Sequence, residues 1–302
     1  MKVLIGVDGS PFSFAAVQAI GHLLLPTDEV ALYHSCGDAP LNDADDATMQ
    51  NRACEAIANV VFDEAKKHLP EHFQSQAHTI VGTERPADEL IAAAGQWGAD
   101  LIVVGARGLG RMETMLLGSV SSAVVRTSPI PVLVVRHGHA LSPETPLKVL
   151  LAYDATNADA QSEILQNINW PAGVAGQVMV VIESLLPSHL PQWVRDRARD
   201  ADTEAMTQAW VSEHESERQT SVTELTTYQQ KLPAGFQSPP IVAEGNPTEQ
   251  LLAAITREKI DVVVVGKSVK SRLSRMLLGS TSEKILAYAP CSVLVVPRAS
   301  GG

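Results

Sequence analysis

The sequence predicts an α/β protein made of two tandem, doubly wound domains, each built on a five-stranded parallel sheet with strand order 3-2-1-4-5. Three observations lead to this prediction. Short runs of valine, leucine and isoleucine alternate with helical patterns along the 302 residues. Each run is continuously apolar, which is typical of strands in a parallel sheet that helices cover on both faces. The whole pattern then occurs a second time, and each copy reads βαβαβαβαβ.

The two copies align without a gap over their last parts. Residues 103–135 and 264–296 share 15 identities in 33 aligned positions. Further upstream, "KVLIGVDGS" at 2–10 matches "KVLLAYDAT" at 148–156. The polar segment "HGHALSPETP" separates the copies and is typical of a linker. We therefore predict a first domain at 1–138 and a second domain at 147–300.

The elements of the first copy follow from the spacing of its apolar residues. Short apolar runs predict strands at 3–7, 30–34, 75–81, 101–104 and 132–135. Apolar residues that recur every three or four positions predict helices near 12–24, 48–68, 87–97 and 119–127. The second copy carries 15 additional residues before Gly245. They predict a polar helical insertion at about 184–235, where Trp193 and Trp210 would pack or form a partner surface.

Composition and charge exclude several classes of protein. The net charge of -11 disfavours a general nucleic-acid or anionic-membrane surface. The amino-terminal apolar run is too short for a signal peptide, and no stretch reaches the roughly 18 apolar residues of a membrane span, so we expect a cytoplasmic protein. Cys36, Cys54 and Cys291 form no C-x-x-C pair and are odd in number. We expect three reduced thiols, without a disulfide framework or a zinc site.

The glycines at the end of the fourth strand predict an anion site. In a sheet of this order the first and fourth strands are neighbours at the switch point, where ligands bind. The first strand ends in "VDGS" and the fourth in "VVGARG". Gly118-Ser119 then starts a helix, whose free N–H groups favour a phosphate. Asp8 on the opposite wall would accept from a ribose or base, while Arg107 and Arg111 would supply positive charge.

A structural alternative stays open for these glycines, which by themselves also suit a tight loop and a helix cap. Neither standard nucleotide fingerprint is present: the chain has no G-x-x-x-x-G-K-[ST], and no G-x-G-x-x-G follows the first strand.

The spacing Gly105-x2-Gly108-x9-Gly118-Ser119, with "LLGSVS" and a closing "PVLVV", resembles the universal stress protein family over nearly the whole chain. The resemblance implies a Rossmann-like fold of the adenine-nucleotide alpha-hydrolase type, stress-linked expression, dimers, and ATP with or without Mg²⁺ as cofactor. It implies no defined reaction. By motif match, the nucleotide-binding residues would be Asp8, Gly9, Ser10, Gly105, Arg107, Gly108, Gly118, Ser119, Val120 and Ser121. It also suggests that "PVLVV" and "SVLVV", as apolar edges that need covering, join the copies as an internal pseudo-dimer.

The second copy departs from the motif. Gly266, Gly279 and Ser280 remain, but Val269 stands where the first copy has Gly108. A β-branched residue resists positive φ, and its side chain would fill phosphate space. Ala155-Thr156 likewise replaces Gly9-Ser10. The loop is basic and contains Lys267, Lys270, Arg272 and Arg275. We expect one tight ATP per chain, with the second domain empty or holding a different anion.

The sequence shows no catalytic or metal-ligating constellation. His34 is interpreted as a strand-end residue, and "NDADDA" at 42–47 lacks the spacing of a calcium loop. The favoured hypothesis is a nucleotide-binding stress-response regulator, without a nucleic-acid or membrane partner. The alternatives are a protein-interaction scaffold, which would use the inserted helix, and a slow ATPase or autophosphorylating protein. A homodimer of the whole chain is compatible with each hypothesis.

Overall fold

The computed structural model describes residues 1–37, 44–108, 117–136, 146–182, 201–267 and 278–298. Several residues singled out from the sequence lie outside these ranges, namely Arg111, Trp193, Val269, Lys270, Arg272, Arg275 and the linker at 137–145. The side chains of Trp210 and of the acidic segment at 42–47 are likewise not described.

The two halves of the chain repeat one order of elements. The first half contains β1 (Lys2–Gly6), α1 (Pro11–Gly21), β2 (Glu29–Ser35), α2 (Ala44–Lys66), α3 (Glu71–Gln74), β3 (His78–Gly82), α4 (Pro86–Trp97), β4 (Leu101–Gly105), α5 (Ser119–Thr127) and β5 (Val132–Val135). The second half contains β6 (Lys148–Ala152), α6 (Ala158–Asn167), β7 (Ala175–Ile182), α7 (Ala201–Gln229), a 3-10 turn (Ala234–Phe236), β8 (Ile241–Glu244), α8 (Pro247–Glu258), β9 (Val262–Gly266), α9 (Ser280–Tyr288) and β10 (Ser292–Val296).

The ten strands of the described residues form one sheet in the order β3-β2-β1-β4-β5-β10-β9-β6-β7-β8. Every neighbouring pair within a half is parallel. The order 3-2-1-4-5 predicted for each half is confirmed, and in both halves the first and fourth strands are neighbours. The prediction is extended in one respect, because the two five-stranded sheets are joined edge to edge.

The junction between the halves is the antiparallel pair of β5 and β10. Leu133 is paired with Leu294, and Val132 and Val134 are paired with Val295 and Val293. Every residue of both strands is buried. These are the two apolar edges that were expected to cover each other, and pairing satisfies both rows of backbone groups at once.

Helices cover both faces of the sheet, which explains why the central strands are continuously apolar. On one face α1, α2, α6 and α7 pack over a core that includes Phe62 and Phe236. On the other face α4, α5, α8 and α9 pack over a core that includes Leu90 and Ile285. All five residues of β4 and of β9 are buried, as expected for strands with helices on either side.

The additional residues of the second half include α7, which is 29 residues long. Its last turns pack onto the sheet, where Leu225 is 1% exposed. The described side chains from 215 to 220 are all exposed. Among the described residues, no helix combines the length and the apolar character that crossing a membrane requires.

The expectation of three reduced cysteines is wrong. Cys36 and Cys54 form a disulfide, with 5.8 Å between their Cα atoms, and Cys291 is free and buried. Cys36 directly follows β2, and Cys54 lies on α2, the helix that packs against β2. Tertiary packing thus brings together two cysteines that are 18 residues apart and share no motif.

The first test of this fold concerns the junction. A fragment of residues 1–136 would leave β5 uncovered, and we expect it to dimerise through β5 because an apolar edge strand pairs with another edge. The same fragment with Val134→Lys is the matched control and should be monomeric, since a charge on an edge opposes pairing. Analytical ultracentrifugation measures both. A wild-type fragment that stays soluble and monomeric would contradict the role given to this pair.

Candidate functional site

A cavity of ≈ 510 Å³ opens at the carboxyl ends of β1 and β4. These strands are parallel neighbours, with Gly6 paired with Val104, and the order of strands reverses between them. The cavity therefore lies at the switch point of the first half. Of the predicted site residues, Asp8, Gly105, Arg107, Gly108, Gly118, Ser119, Val120 and Ser121 line the cavity.

Gly9 and Ser10 do not line this cavity and instead shape the loop that holds Asp8. Gly9 has a φ of +81°, a conformation that residues with a Cβ rarely adopt. Ser10 is 1% exposed and is the N-cap of α1. Its Oγ accepts a hydrogen bond from the backbone N–H of Ser13 at 3.2 Å. In this structure they fix where β1 ends and α1 begins, and their contact with a nucleotide stays a prediction.

The carboxylate of Asp8 is held in place by this turn. Its Oδ1 accepts from the backbone N–H of Ser10 at 2.9 Å, and the Asp8 N–H donates to Ser13 Oγ at 3.3 Å. Its Oδ2 lies beside Gly108, where a Cβ would stand only 2.3 Å away. Gly108 does not have a positive φ. Of the two reasons expected for glycine at this position, positive φ is therefore wrong, whereas lack of space for a side chain applies, because the Asp8 carboxylate occupies that space.

The end of β4 makes two close contacts that narrow the site. A Cβ on Gly105 would lie 2.7 Å from the backbone carbon and oxygen of Phe12, so only glycine lets β4 approach α1 this closely. The buried Ser121 hydroxyl donates to the carbonyl of Gly105 at 2.6 Å. Since its hydrogen is used inside the protein, Ser121 acts mainly by tying the first turn of α5 to β4.

The amino-terminal end of α5 is the polar end of the cavity. Gly118 is its N-cap and makes no side-chain capping hydrogen bond. Ser119 and Val120 are exposed, and both line the cavity. The first-turn N–H groups of a helix have no partner within the helix, and the helix dipole adds partial positive charge there. Arg107 lies at the same end, with its guanidinium carbon 5.8 Å from the centre of the Phe12 ring.

The other end of the cavity is apolar and was not identified from the sequence. Its lining includes Tyr33 and Ser35 from β2 and Pro86 and Leu90 from α4. The Tyr33 hydroxyl donates to Glu89 Oε2 at 3.2 Å. Burial, with the nearby Glu89 carboxylate, raises the pKa of Tyr33 well above its ordinary value, so the phenol stays protonated. β2 is the other neighbour of β1, and its carboxyl end opens at the same edge, which is the signal that could have revealed these residues.

At the corresponding place, the second half repeats the bond between the last helix and the fourth strand, but the turn after the first strand differs. Ser282 Oγ donates to the Gly266 carbonyl at 2.7 Å, as Ser121 does to Gly105. Asp154 Oδ1, however, accepts from both the N–H and the hydroxyl of Thr156, at 3.0 and 2.8 Å. Ala155 has no positive φ, so the turn after Asp154 differs in shape from the turn at Gly9.

Contrary to expectation, Lys267 contributes no exposed charge to the basic loop of the second half. It is 7% exposed, and its Nζ donates to the carbonyl of Ser128 in the first half at 3.2 Å. The expectation of an exposed lysine that attracts an anion to the second half is therefore wrong for this residue. A second cavity of ≈ 910 Å³ lies elsewhere in this half, between α6 and α7, and its lining includes Tyr153, Glu224 and Tyr228.

Histidine and metal chemistry are not indicated among the described residues. No group of three or more histidine, cysteine, aspartate or glutamate side chains there could hold a metal ion. The buried His34 ring has its Nδ1 2.8 Å from the carbonyl oxygen of Val7, which matches the interpretation of His34 as a strand-end residue.

Fold and site together define a doubly wound α/β protein with a cavity at the switch point of its first half. A model of the universal stress protein family matches residues 1–136 and 189–297, and the chain belongs to that family. Universal stress protein YxiE of Bacillus subtilis (strain 168) is 33% identical over 145 residues, which is 45% of this chain and 98% of the relative. A universal stress protein of Mycolicibacterium smegmatis is 26% identical over 304 residues, or 98% of this chain and 97% of the relative.

The solved structures agree with the fold. The crystal structure of a universal stress protein from Archaeoglobus fulgidus DSM 4304 has a TM-score of 0.63 and 21% identity, and the match covers 99% of this chain and 98% of that one. At this identity the likeness supports the doubly wound architecture of both halves.

Two glycine substitutions test the loop that holds Asp8. Gly9→Ala places a Cβ on a residue with positive φ, so we expect it to lower the free energy of unfolding by about 1–2 kcal/mol. Gly95→Ala is the matched control: Gly95 lies within α4 with open space around it, and alanine should stabilise by about 0.5–1 kcal/mol. Urea unfolding measures both values. Equal effects of the two substitutions would contradict the strain assigned to Gly9.

Proposed function

We propose that the first-half cavity binds ATP or a related adenine nucleotide, and that the chain acts as a nucleotide-binding stress-response regulator. The proposal rests on one observation: a single cavity has a polar end and an apolar end. The amino terminus of α5, without a side-chain cap, forms one end, and an apolar compartment walled by Leu90 forms the other. A nucleotide has two matching parts, a polyanion and a flat aromatic base whose faces pack on apolar surface.

The phosphates belong at the amino-terminal end of α5. The N–H groups of Ser119, Val120 and Ser121 are the first-turn donors that such a helix offers to an anion. The helix dipole adds about 0.3–1 kcal/mol, and Arg107 adds a positive charge at the same end. Gly118 leaves this end of the helix without a side chain in the way of a phosphate.

The adenosine belongs at the opposite end. Leu90 and Pro86 offer apolar surface to a base, and the hydroxyls of Tyr33 and Ser35 lie at the same end. The Asp8 carboxylate can accept from a ribose hydroxyl, because its position is fixed by the backbone of Ser10. The cavity of ≈ 510 Å³ falls within the roughly 300–1,000 Å³ that is usual for small-molecule sites.

Magnesium would enter with the nucleotide. Mg²⁺ prefers oxygen ligands and is usually held by one or two carboxylates together with substrate phosphates. Asp8 is the carboxylate that lines the cavity, so the residues present suit a metal that the phosphates already carry.

A second candidate function, a protein-interaction scaffold, is favoured by one surface. Met49, Ile57 and Val60 on α2 are 70%, 58% and 70% exposed. Their spacing places them along one side of the helix, and exposed apolar stripes of this kind mark contact surfaces. This function is compatible with nucleotide binding in the cavity, because the stripe faces away from the protein core.

Gly108→Val tests the proposed ligand. Its Cβ would stand 2.3 Å from Asp8 Oδ2, so the carboxylate must move and the valine side chain must enter the cavity. We expect ATP affinity to fall at least tenfold, the equivalent of about 1.4 kcal/mol, while the fold is retained. Isothermal calorimetry with ATP measures this, and Gly95→Ala should bind as the wild type does. Undiminished affinity in a folded Gly108→Val protein would refute the proposed site.

The stoichiometry tests whether the halves differ. We expect one tight ATP per chain, because the Thr156 hydroxyl also donates to the Asp154 carboxylate and Lys267 is directed into the first half. Any second site would be weak and would fade as salt rises, since it would depend on exposed charge. Calorimetric titration at two salt concentrations measures this. Two equivalent tight sites per chain would overturn the assignment.

A further inference from the structure

Each half places a positively charged side chain at the carboxyl end of the other half's last helix. Lys267 in the second half donates from Nζ to the carbonyl of Ser128, the C-cap of α5. Arg136 in the first half donates from Nη2 to the carbonyls of Leu286 and Ala287, in the last turn of α9, at 2.6 and 3.2 Å. A cation at the carboxyl end of a helix opposes the negative end of its dipole.

The backbone explains why Lys267 reaches the other half. Lys267 follows the last residue of β9, and its N–H donates to the Val296 carbonyl at the end of β10 at 2.7 Å. Ala106 holds the same position in the first half, with its N–H donating to Val135 at 2.8 Å. Because β10 is paired with β5, a long side chain at this position can cross the junction, whereas alanine cannot.

The positive charge of Lys267 acts mainly on the carboxyl end of α5. It is 7% exposed, and no carboxylate pairs with it among the described residues. Burial lowers the pKa of the ammonium group. The Ser128 carbonyl is its hydrogen-bond acceptor, and Ser128 is itself 2% exposed. A buried cation of this kind costs desolvation, which the carbonyls at the helix end offset.

The opposite end of the same helix faces the first-half cavity. α5 has only nine residues, so at about 1.5 Å per residue it spans roughly 13 Å between its two ends. Its first turn is tied to β4 by Ser121, and its last turn is contacted by Lys267. The direction of the N–H groups at Ser119 and Val120 therefore depends on both ends.

We propose that Lys267 is a positioning residue for the phosphate end of the first-half site, through which the second half sets the affinity of the first half for nucleotide phosphates. The inference rests on the proposed function and adds to it a regulatory link.

The test compares ATP with adenosine in the full chain. Lys267→Met removes the charge at similar length, and Lys267→Arg restores it. We expect Lys267→Met to weaken ATP binding about three- to tenfold, to leave adenosine binding unchanged, and to be rescued by Lys267→Arg. Lys67→Met is the matched control, because it removes a lysine charge from an exposed ion pair with Glu64 on α2, outside α5, and should change neither affinity. If Lys267→Met does not fold, Lys267→Gln carries the test, since it keeps a donor without the charge.

Each outcome separates the inference from the function on which it rests. Unchanged ATP affinity in the folded Lys267→Met or Lys267→Gln protein overturns the inference and leaves the proposed function standing. An equal loss for ATP and adenosine also overturns it, because the effect would then not act at the phosphate end. Absence of ATP binding by the wild-type chain overturns the proposed function and the inference together.

Discussion

The antiparallel pair of β5 and β10 is the contact on which the rest of the structure depends. Each half ends in a fully buried and largely apolar strand, which alone would present an unpaired and aggregation-prone edge. Pairing the two edges buries both and turns two sheets into one. It also places the last helix of each half within reach of a cation from the other, through Lys267 and Arg136. The halves therefore form a single unit, in which the carboxyl end of each half's last helix is contacted by a cation from the other half.

A second constraint is the narrow gap between the ends of β1 and β4. Gly105 admits the backbone of Phe12, and Gly108 admits the carboxylate of Asp8. Ser121 then fixes the first turn of α5 beside them, and Ser282 repeats this bond in the second half. The copies thus share a scaffold and differ in the groups that would meet a ligand. This pattern is expected when one copy keeps a binding role and the other stabilises or regulates it.

Periodicity and repetition predicted the strands and the four main helices of the first half, because short apolar runs alternate with helical patterns in both copies. The strand order followed from the doubly wound fold class and not from the apolar pattern itself. The spacing of the motif predicted that Gly105, Gly108 and Gly118 meet at one cavity. The sequence could not predict the apolar end of that cavity, since Tyr33 and Leu90 belong to no motif and meet through tertiary packing alone. The same limit hid the disulfide of Cys36 with Cys54. It also hid the direction of Lys267, because a lysine in a basic loop gives no signal of burial.

We infer that nucleotide phosphates bind at the amino end of α5 in the first half. Chains labelled with ¹⁵N-serine report this in one NMR spectrum, because Ser119 and Ser121 start α5, and Ser280 and Ser282 hold the same positions on α9. On addition of ATP, the account predicts large amide shifts at Ser119 and Ser121 and none at Ser280 and Ser282. Shifts confined to Ser280 and Ser282, or to Ser216 beside the cavity between α6 and α7, would contradict it.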